Sequence, residues 1–223
     1  MRRTFVSTVL RAVPKAPLLH RSFPSAAAVS VPLFAGIQQR SATFAALADA
    51  TRREMEDEQQ RTTSKEKPKM PEGWKLDRKP GERIFTMHKT FEDEEILLRY
   101  RDEVNLEDDR KKYDFTVFIT SKGKTLEFEM SFDDEEVVLD RIRFLPDSAL
   151  ALDTSADALS RRSLLYSGPD VRELDDGLVD AFVSYLEDRG VDDELGEFVE
   201  AYAVWAEQAE YEAWLSGIHK FVS

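Results

Sequence analysis

One short run limits the fold more than any other in the chain. From Leu126 to Phe132 the residues alternate, with Leu126, Phe128, Met130 and Phe132 on one side and Glu127, Glu129 and Ser131 on the other. Side chains alternate between faces along a strand, so this strand buries one face and wets the other. Segments 82–91, 94–104, 113–121 and 135–145 also have strand character. "SKGK" at 121–124 is a short glycine-containing turn between two of these runs, a hairpin signal. The links are too short for βαβ crossovers, so the sheet is antiparallel. Ile96-Leu97-Leu98 and the run Phe115 to Ile119 place apolar residues on both faces. Something must therefore cover part of the second face.

Helical patterns flank the strands. Residues 41–61 read as a helix capped by Ser41 or Thr43, with Phe44, Leu47, Ala48 and Met55 as a loose apolar face. Pro68, Pro71 and Gly73 break the pattern before the first strand. Residues 146–172 are mixed, with a turn at 166–170. From 173 to 189 the stripe is Leu174, Leu178, Ala181, Phe182, Tyr185 and Leu186. The acid-dense "YLEDRGVDDELGEFVE" follows. Glu187 and Asp188 fall on the wet side of a last turn, Gly190 stops the helix, and Asp192 or Asp193 caps the next. That next stripe runs through Leu195, Phe198, Val199, Tyr202, Trp205, Trp214, Ile218 and Phe221, as one long helix or two joined near Glu210. The order helix, antiparallel sheet, helices is an α+β fold.

Charge divides the chain. Residues 1–40 hold the basic residues Arg2, Arg3, Arg11, Lys15, Arg21 and Arg40 and no acid. This Arg-, Ser- and Ala-rich stretch reads as a mitochondrial targeting segment. Its removal falls between about Ser22 and Ala45, which sets expected boundaries of 1–42 for the targeting segment and 43–223 for a single acidic domain. The whole chain carries a formal charge of −13 from 31 basic and 44 acidic residues. Removing those six basic residues leaves 25 basic against 44 acidic, a net of −19 for residues 41–223. Such a body repels a phosphate backbone and attracts basic proteins. No run approaches a membrane span of about 18 or more apolar residues.

Few residues are available for chemistry. Cysteine is absent, which removes disulfides, thiolate metal sites and thiol catalysis. His20 lies in the targeting segment, and His88 and His219 have no second histidine at ligand spacing, so both read as structural or surface residues. No phosphate-binding glycine loop and no G-x-S-x-G elbow occurs. The acidic segments 91–96, 105–110 and 131–138 match no EF-hand loop. They read as solvated acids between strands, gathered at one end of the sheet as a negative surface for a basic partner. The residues assigned to it are Glu92, Asp93, Glu94, Glu107, Asp108, Asp109, Asp133, Asp134, Glu135 and Glu136. No catalytic residue, cofactor or metal is assigned. Two readings of other classes stand beside this one. A direct RNA-binding protein would use "RRSLL" (161–165) and "DRKKY" (109–113). A metal-dependent hydrolase would use the acidic loops. Phe198, Tyr202, Trp205, Trp214 and Phe221 are candidates for subunit packing, and core packing competes with that role.

"YLEDRGVDDEL", then "EQAEYEAWL", then the terminal "KFV", together with "KPKMPEGWKL" upstream, resemble the mitochondrial acidic matrix protein family. That family includes the animal receptor for the globular heads of a complement component. The resemblance covers about residues 43–223, the strands agreeing in pattern more than in letters. It implies a ring-shaped homotrimer of subunits, each with an N-terminal helix, about seven twisted antiparallel strands and C-terminal helices. One face of the ring would be strongly acidic. It implies a non-enzymatic docking or chaperone-like protein of the mitochondrial matrix, tied to translation, ribosome assembly and RNA processing through basic partners. In organisms that edit mitochondrial transcripts, of the kinetoplastid type, it implies an editing accessory role. The loops here, such as 104–113, are shorter than the acidic insertions of animal members, which leaves contacts made by those insertions without a counterpart.

Overall fold

The structure, a computed structural model, describes residues 37–61, 66–82, 84–101, 113–133 and 136–223. The expected targeting segment lies largely outside them. Helix α1 (Ile37–Arg61) comes first. Six strands follow: β1 (Lys75–Asp77), β2 (Phe85–Phe91), β3 (Glu94–Tyr100), β4 (Tyr113–Ser121), β5 (Lys124–Asp133) and β6 (Glu136–Leu145). They form one antiparallel meander in the order β1-β2-β3-β4-β5-β6. The described residues thus hold six strands where about seven were expected. Four helices complete the chain: α2 (Ser148–Leu152), α3 (Ala156–Ser163), α4 (Asp176–Glu187) and α5 (Asp193–Val222).

The alternation read in β5 holds for the apolar face, but the face expected to be wet is corrected, since Glu127 and Ser131 on it are buried. Phe128, Met130 and Phe132 are buried with Ile96, Leu98, Phe115 and Val117 on one face. Leu186 of α4 and Leu195, Val199 and Tyr202 of α5 close that core. Each such side chain, fully buried, stabilises the fold by about 1.5–3 kcal/mol before entropy is counted. Register slips between Glu129 and Met130, where β6 carries one residue more. The bulge keeps Leu139 and Ile142, three apart, opposite Met130 and Phe128 on the core side.

The second face has its own cover, and it comes from the segment that read as mixed. Short helix α2 lies over β4, β5 and β6 with α3 packed on α2, and Ala151 and Ala158 are buried there. Arg162 ties them down. Its Nη1 donates to the carbonyls of Leu150 (3.0 Å), Ala151 and Asp153 (2.9 Å). Arg99 in β3 donates from Nη2 to Leu152 O at 3.2 Å. The orphan carbonyls that end a helix therefore find two guanidinium groups.

Turns and caps follow local chemistry. Lys122 and Gly123 both have positive φ, 51° and 76°, as a two-residue hairpin turn requires. Gly190, at φ 70°, ends α4, with Val191 N–H donating to Leu186 O. Asp192 caps α5 by accepting from Leu195 N–H at 3.1 Å. Helix α5 is one unbroken helix of 30 residues. Helix α4 starts later than expected, because a 3-10 turn at Val171–Glu173 precedes it and Asp175 caps it.

Helix α1 runs antiparallel to α5. Gln208 Nε2 donates to Glu58, Tyr211 Oη donates to Glu54, and His219 Nδ1 lies 3.1 Å from Thr51 Oγ1. The expected apolar face of α1 is corrected here. Phe44 and Leu47 are exposed, Ala48 and Met55 are half-buried as expected, and the buried residue at the contact is Thr51. Its hydroxyl donates to Leu47 O and Ala48 O, so burial leaves no orphan group.

Candidate docking surface

The described acids of the expected surface sit in different places. Glu92 and Asp93 form the β2–β3 turn and are exposed. Glu136 is exposed at the start of β6. In a meander, alternate turns share an end of the sheet. The β2–β3 and β4–β5 turns therefore lie at one end, and the start of β6 lies at the other. The expectation of acids gathered at one end is thus corrected, because it needed the strand directions. Asp133 belongs to β5, and Glu107, Asp108, Asp109, Asp134 and Glu135 lie outside the described residues.

Glu94 departs from the group altogether. Its carboxylate accepts from Arg189 Nε at 2.6 Å and from Tyr185 Oη at 3.0 Å. Arg189 stacks on the Tyr185 ring, 3.4 Å from its centroid, and also donates to Tyr185 O at 2.8 Å. Burial pushes the Tyr185 phenol above its ordinary range, and the bond to Glu94 pushes it further. The side chains of Arg189 and Glu94 are only 12% and 16% exposed. Glu94 is therefore a lock between the sheet and the end of α4. Arg189→Ala is expected to destabilise the protein by about 1–2 kcal/mol, discounted for residual exposure. A shift of the urea midpoint at unchanged slope checks this.

Acids missed in that assignment open α5. Asp193 and Glu194 are exposed in its first turn, with Glu197 one turn on. They complement the positive end of the helix. Asp193 also makes a tertiary contact. Its Oδ1 accepts from Val137 N–H at 3.0 Å and so fastens edge strand β6 to the helix.

The aromatic candidates divide in three. Phe198 and Tyr202 are buried within the chain itself, at 6% and 2% exposure, and Tyr202 packs edge-on to Phe85. Trp205 is half-buried beside Tyr202, with Arg78 and Lys67 over its ring. Trp214 and Phe221 are exposed, at 59% and 83%, along α5. With Phe44 and Leu47 they leave apolar area uncovered on the helix pair.

Of the two basic stretches, "RRSLL" presents Arg161 to solvent, but Arg162 is turned inward onto the α2 carbonyls. Residues 109–112 of "DRKKY" lie outside the described residues. Among the described residues no three His, Asp or Glu side chains are grouped to hold a metal ion. No described helix is long and apolar enough to cross a membrane.

A sequence model of the mitochondrial glycoprotein family, MAM33, matches residues 99–222. The mitochondrial acidic protein mam33 of Schizosaccharomyces pombe is 33% identical over 148 residues, which are 64% of this chain and 54% of that protein. An uncharacterised mitochondrial protein of Arabidopsis thaliana is 32% identical over 107 residues, 48% of this chain and 39% of its own. The chain therefore matches about half the length, or less, of these two relatives. Two solved structures share the fold. The crystal structure of the Trypanosoma brucei p22 protein superposes with a TM-score of 0.78 and 48% identity, covering 82% of this chain and 100% of that one. A Leishmania major protein of unknown function, described as a sequence homologue of human p32, gives 0.74 and 47%, covering 80% and 99%. The chain belongs to the mitochondrial glycoprotein family MAM33 and is a mitochondrial protein.

Proposed function

We propose that this protein is a non-enzymatic docking protein of the mitochondrial matrix that binds basic partner proteins, including those that handle RNA or ribosomes, and that it works as a homotrimer. The observation that carries the docking reading is charge. Residues 41–223 hold 44 acids against 25 basic residues, and Glu92, Asp93, Glu136, Glu194 and Glu197 are exposed. Acids in this number steer a basic protein toward the surface, and local shape then selects it. The apolar side chains left open on α1 and α5 support assembly, since a neighbouring subunit would cover them.

The test is a binding titration of basic mitochondrial proteins against salt. Affinity is expected to fall by about tenfold or more between low and high ionic strength. Glu92→Lys combined with Asp93→Lys is expected to weaken binding at low salt and flatten the salt dependence. Binding that ignores salt would sink the docking reading. Filter binding of RNA to the purified chain separates direct contact from contact through a protein. Tight RNA binding without a partner would replace the proposal. Assembly is tested by light scattering on the wild type and on Trp214→Asp. A monomeric wild type would remove the trimer and leave docking to stand on its own titration.

A further inference from the structure

On the face of the sheet away from α4 and α5 lies a cavity of about 480 Å³ between the strands and α3. Four guanidinium groups line it, those of Arg99, Arg101, Arg143 and Arg162. Four carboxylates, those of Asp114, Glu127, Glu129 and Asp140, line it as well, so the two charges are matched in number and neutralising one acid leaves the wall positive. Arg99 and Arg162 spend hydrogen bonds on α2 carbonyls, so that much of their positive charge is left to the cavity. Burial lowers the Arg99 pKa, and nearby Arg101 and Arg162 lower it further, a mark of crowded positive charge.

Glu127 and Arg143 in the wall each carry a side-chain atom without a hydrogen bond. Glu127 is 7% exposed and its Oε2 has no hydrogen-bond partner. Arg143 Nε is buried and likewise unpartnered. Arg143 approaches Glu127 at 3.6 Å and Glu129 at 3.8 Å, longer than hydrogen bonds. Glu129 has a closer partner in Arg141 Nε at 3.2 Å. A buried donor without an acceptor is costly, and native proteins rarely leave one empty-handed.

We propose that this cavity binds a small oxyanion, a carboxylate or a phosphate, held between Arg143 and Arg101 with Glu127 facing it. A ligand oxygen meets the accessible part of the Arg143 guanidinium, whose side chain is 15% exposed. Glu127 joins by taking up a proton and donating to a second ligand oxygen. Its burial already favours the protonated form, against the pull of Arg143, Arg162 and Arg99 and with Glu129 reinforcing it. Asp114 and Asp140 also border the cavity and add negative charge. Binding is therefore coupled to proton uptake and tightens as pH falls.

The experiment is calorimetry and amide-shift titration of the full chain with succinate and, separately, with sulfate as a non-titrating stand-in for phosphate. Saturable binding with shifts confined to β3, β4, β5, β6 and α3 is expected. The tighter of the two probes assigns the source as carboxylate or phosphate. Affinity should rise as pH falls toward the ordinary carboxylate range. Arg143→Met should weaken binding by about tenfold or more. Because that variant alters a buried group, exposed Arg101→Ala is the second probe, expected to weaken binding by a few-fold with an unchanged fold. Glu127→Gln should keep binding at higher pH and lose the pH dependence. Absence of saturable binding by both probes, or binding indifferent to both arginine variants, would overturn the proposal and leave the cavity to water.

Discussion

Phe128→Ala is expected to destabilise the protein by about 3–5 kcal/mol, at the upper end for a single core truncation. Phe128 has no exposed surface. It lies on β5, a central strand of the meander, with Val117 opposite in β4 and Ile142 opposite in β6. Phe182 and Tyr185 of α4 meet its ring at centroid distances of 6.1 and 6.4 Å. Truncation therefore removes contacts to two neighbouring strands and to one helix together. Strands β4 and β6 are held in ladders and cannot close in, so the cavity persists and the cost stays near the top of its range. Domains of this size have about 5–15 kcal/mol in all. The variant should unfold at a much lower urea midpoint, and its soluble yield should fall. A loss below about 1.5 kcal/mol would mean that α4 collapses into the space and is held more loosely than its packing shows.

Glu127, the neighbour of Phe128 in sequence, faces the other way and gives a prediction of opposite character. Burial raises its pKa in the folded protein above the unfolded value. The folded state then holds its proton longer than the unfolded state does as pH rises. Stability from this group is fully present below the unfolded pKa and is lost as pH rises through the folded one. Glutamine does not titrate. The melting temperature of Glu127→Gln relative to wild type should therefore climb with pH above the ordinary carboxylate range. A flat difference would show that Arg143 offsets the burial in full.

That one dipeptide contains both a core anchor and a buried acid was half legible. The alternation of β5 told which face each residue takes, since period two is fixed by the backbone. It could not tell that the second face is covered. The cover is made by α2 and α3, of 5 and 8 residues, too short to show a helical period. Arg162, which fastens them, reads in sequence as one more surface cation. Local signals did better. The hairpin turn at Lys122-Gly123, the stop at Gly190 and the cap at Asp192 each depend on a few neighbouring residues. Strand β1, of three residues, has no period to detect. On α1 the apolar letters Phe44 and Leu47 outweighed Thr51, which faces α5 because its hydroxyl is satisfied by its own helix. The acids were legible as a class and illegible as a surface. Glu92 and Glu94 are two residues apart, yet one is solvated and the other is locked to Arg189.

Two glycines in α5 should respond to alanine with opposite signs. Both lie inside a helix, where alanine is favoured over glycine by about 1 kcal/mol. Gly217 is exposed, and a Cβ added there would meet nothing within 4 Å. Gly217→Ala should stabilise the protein by about that amount. Gly196 is buried where α5 crosses β5 and β6. A Cβ there would stand 2.4 Å from Phe132 Cδ2 and 2.6 Å from Val137 Cγ2. Phe132 is only 3% exposed, and a β-branched valine has little rotamer freedom to retreat. The helix cannot simply lift, because Asp193, one turn earlier, is bonded to Val137 N–H. Overpacking of this kind costs about 3 kcal/mol or somewhat more, so after the propensity gain Gly196→Ala should lose about 2 kcal/mol. Gly196→Val adds two further methyl groups and should lose more than about 3 kcal/mol. Thermal melts of the two alanine variants side by side decide the matter. If both stabilise, α5 rides higher over the sheet than its contacts require. If only Gly196→Ala destabilises, the close approach of helix to sheet is what holds the start of α5 in place on β5 and β6.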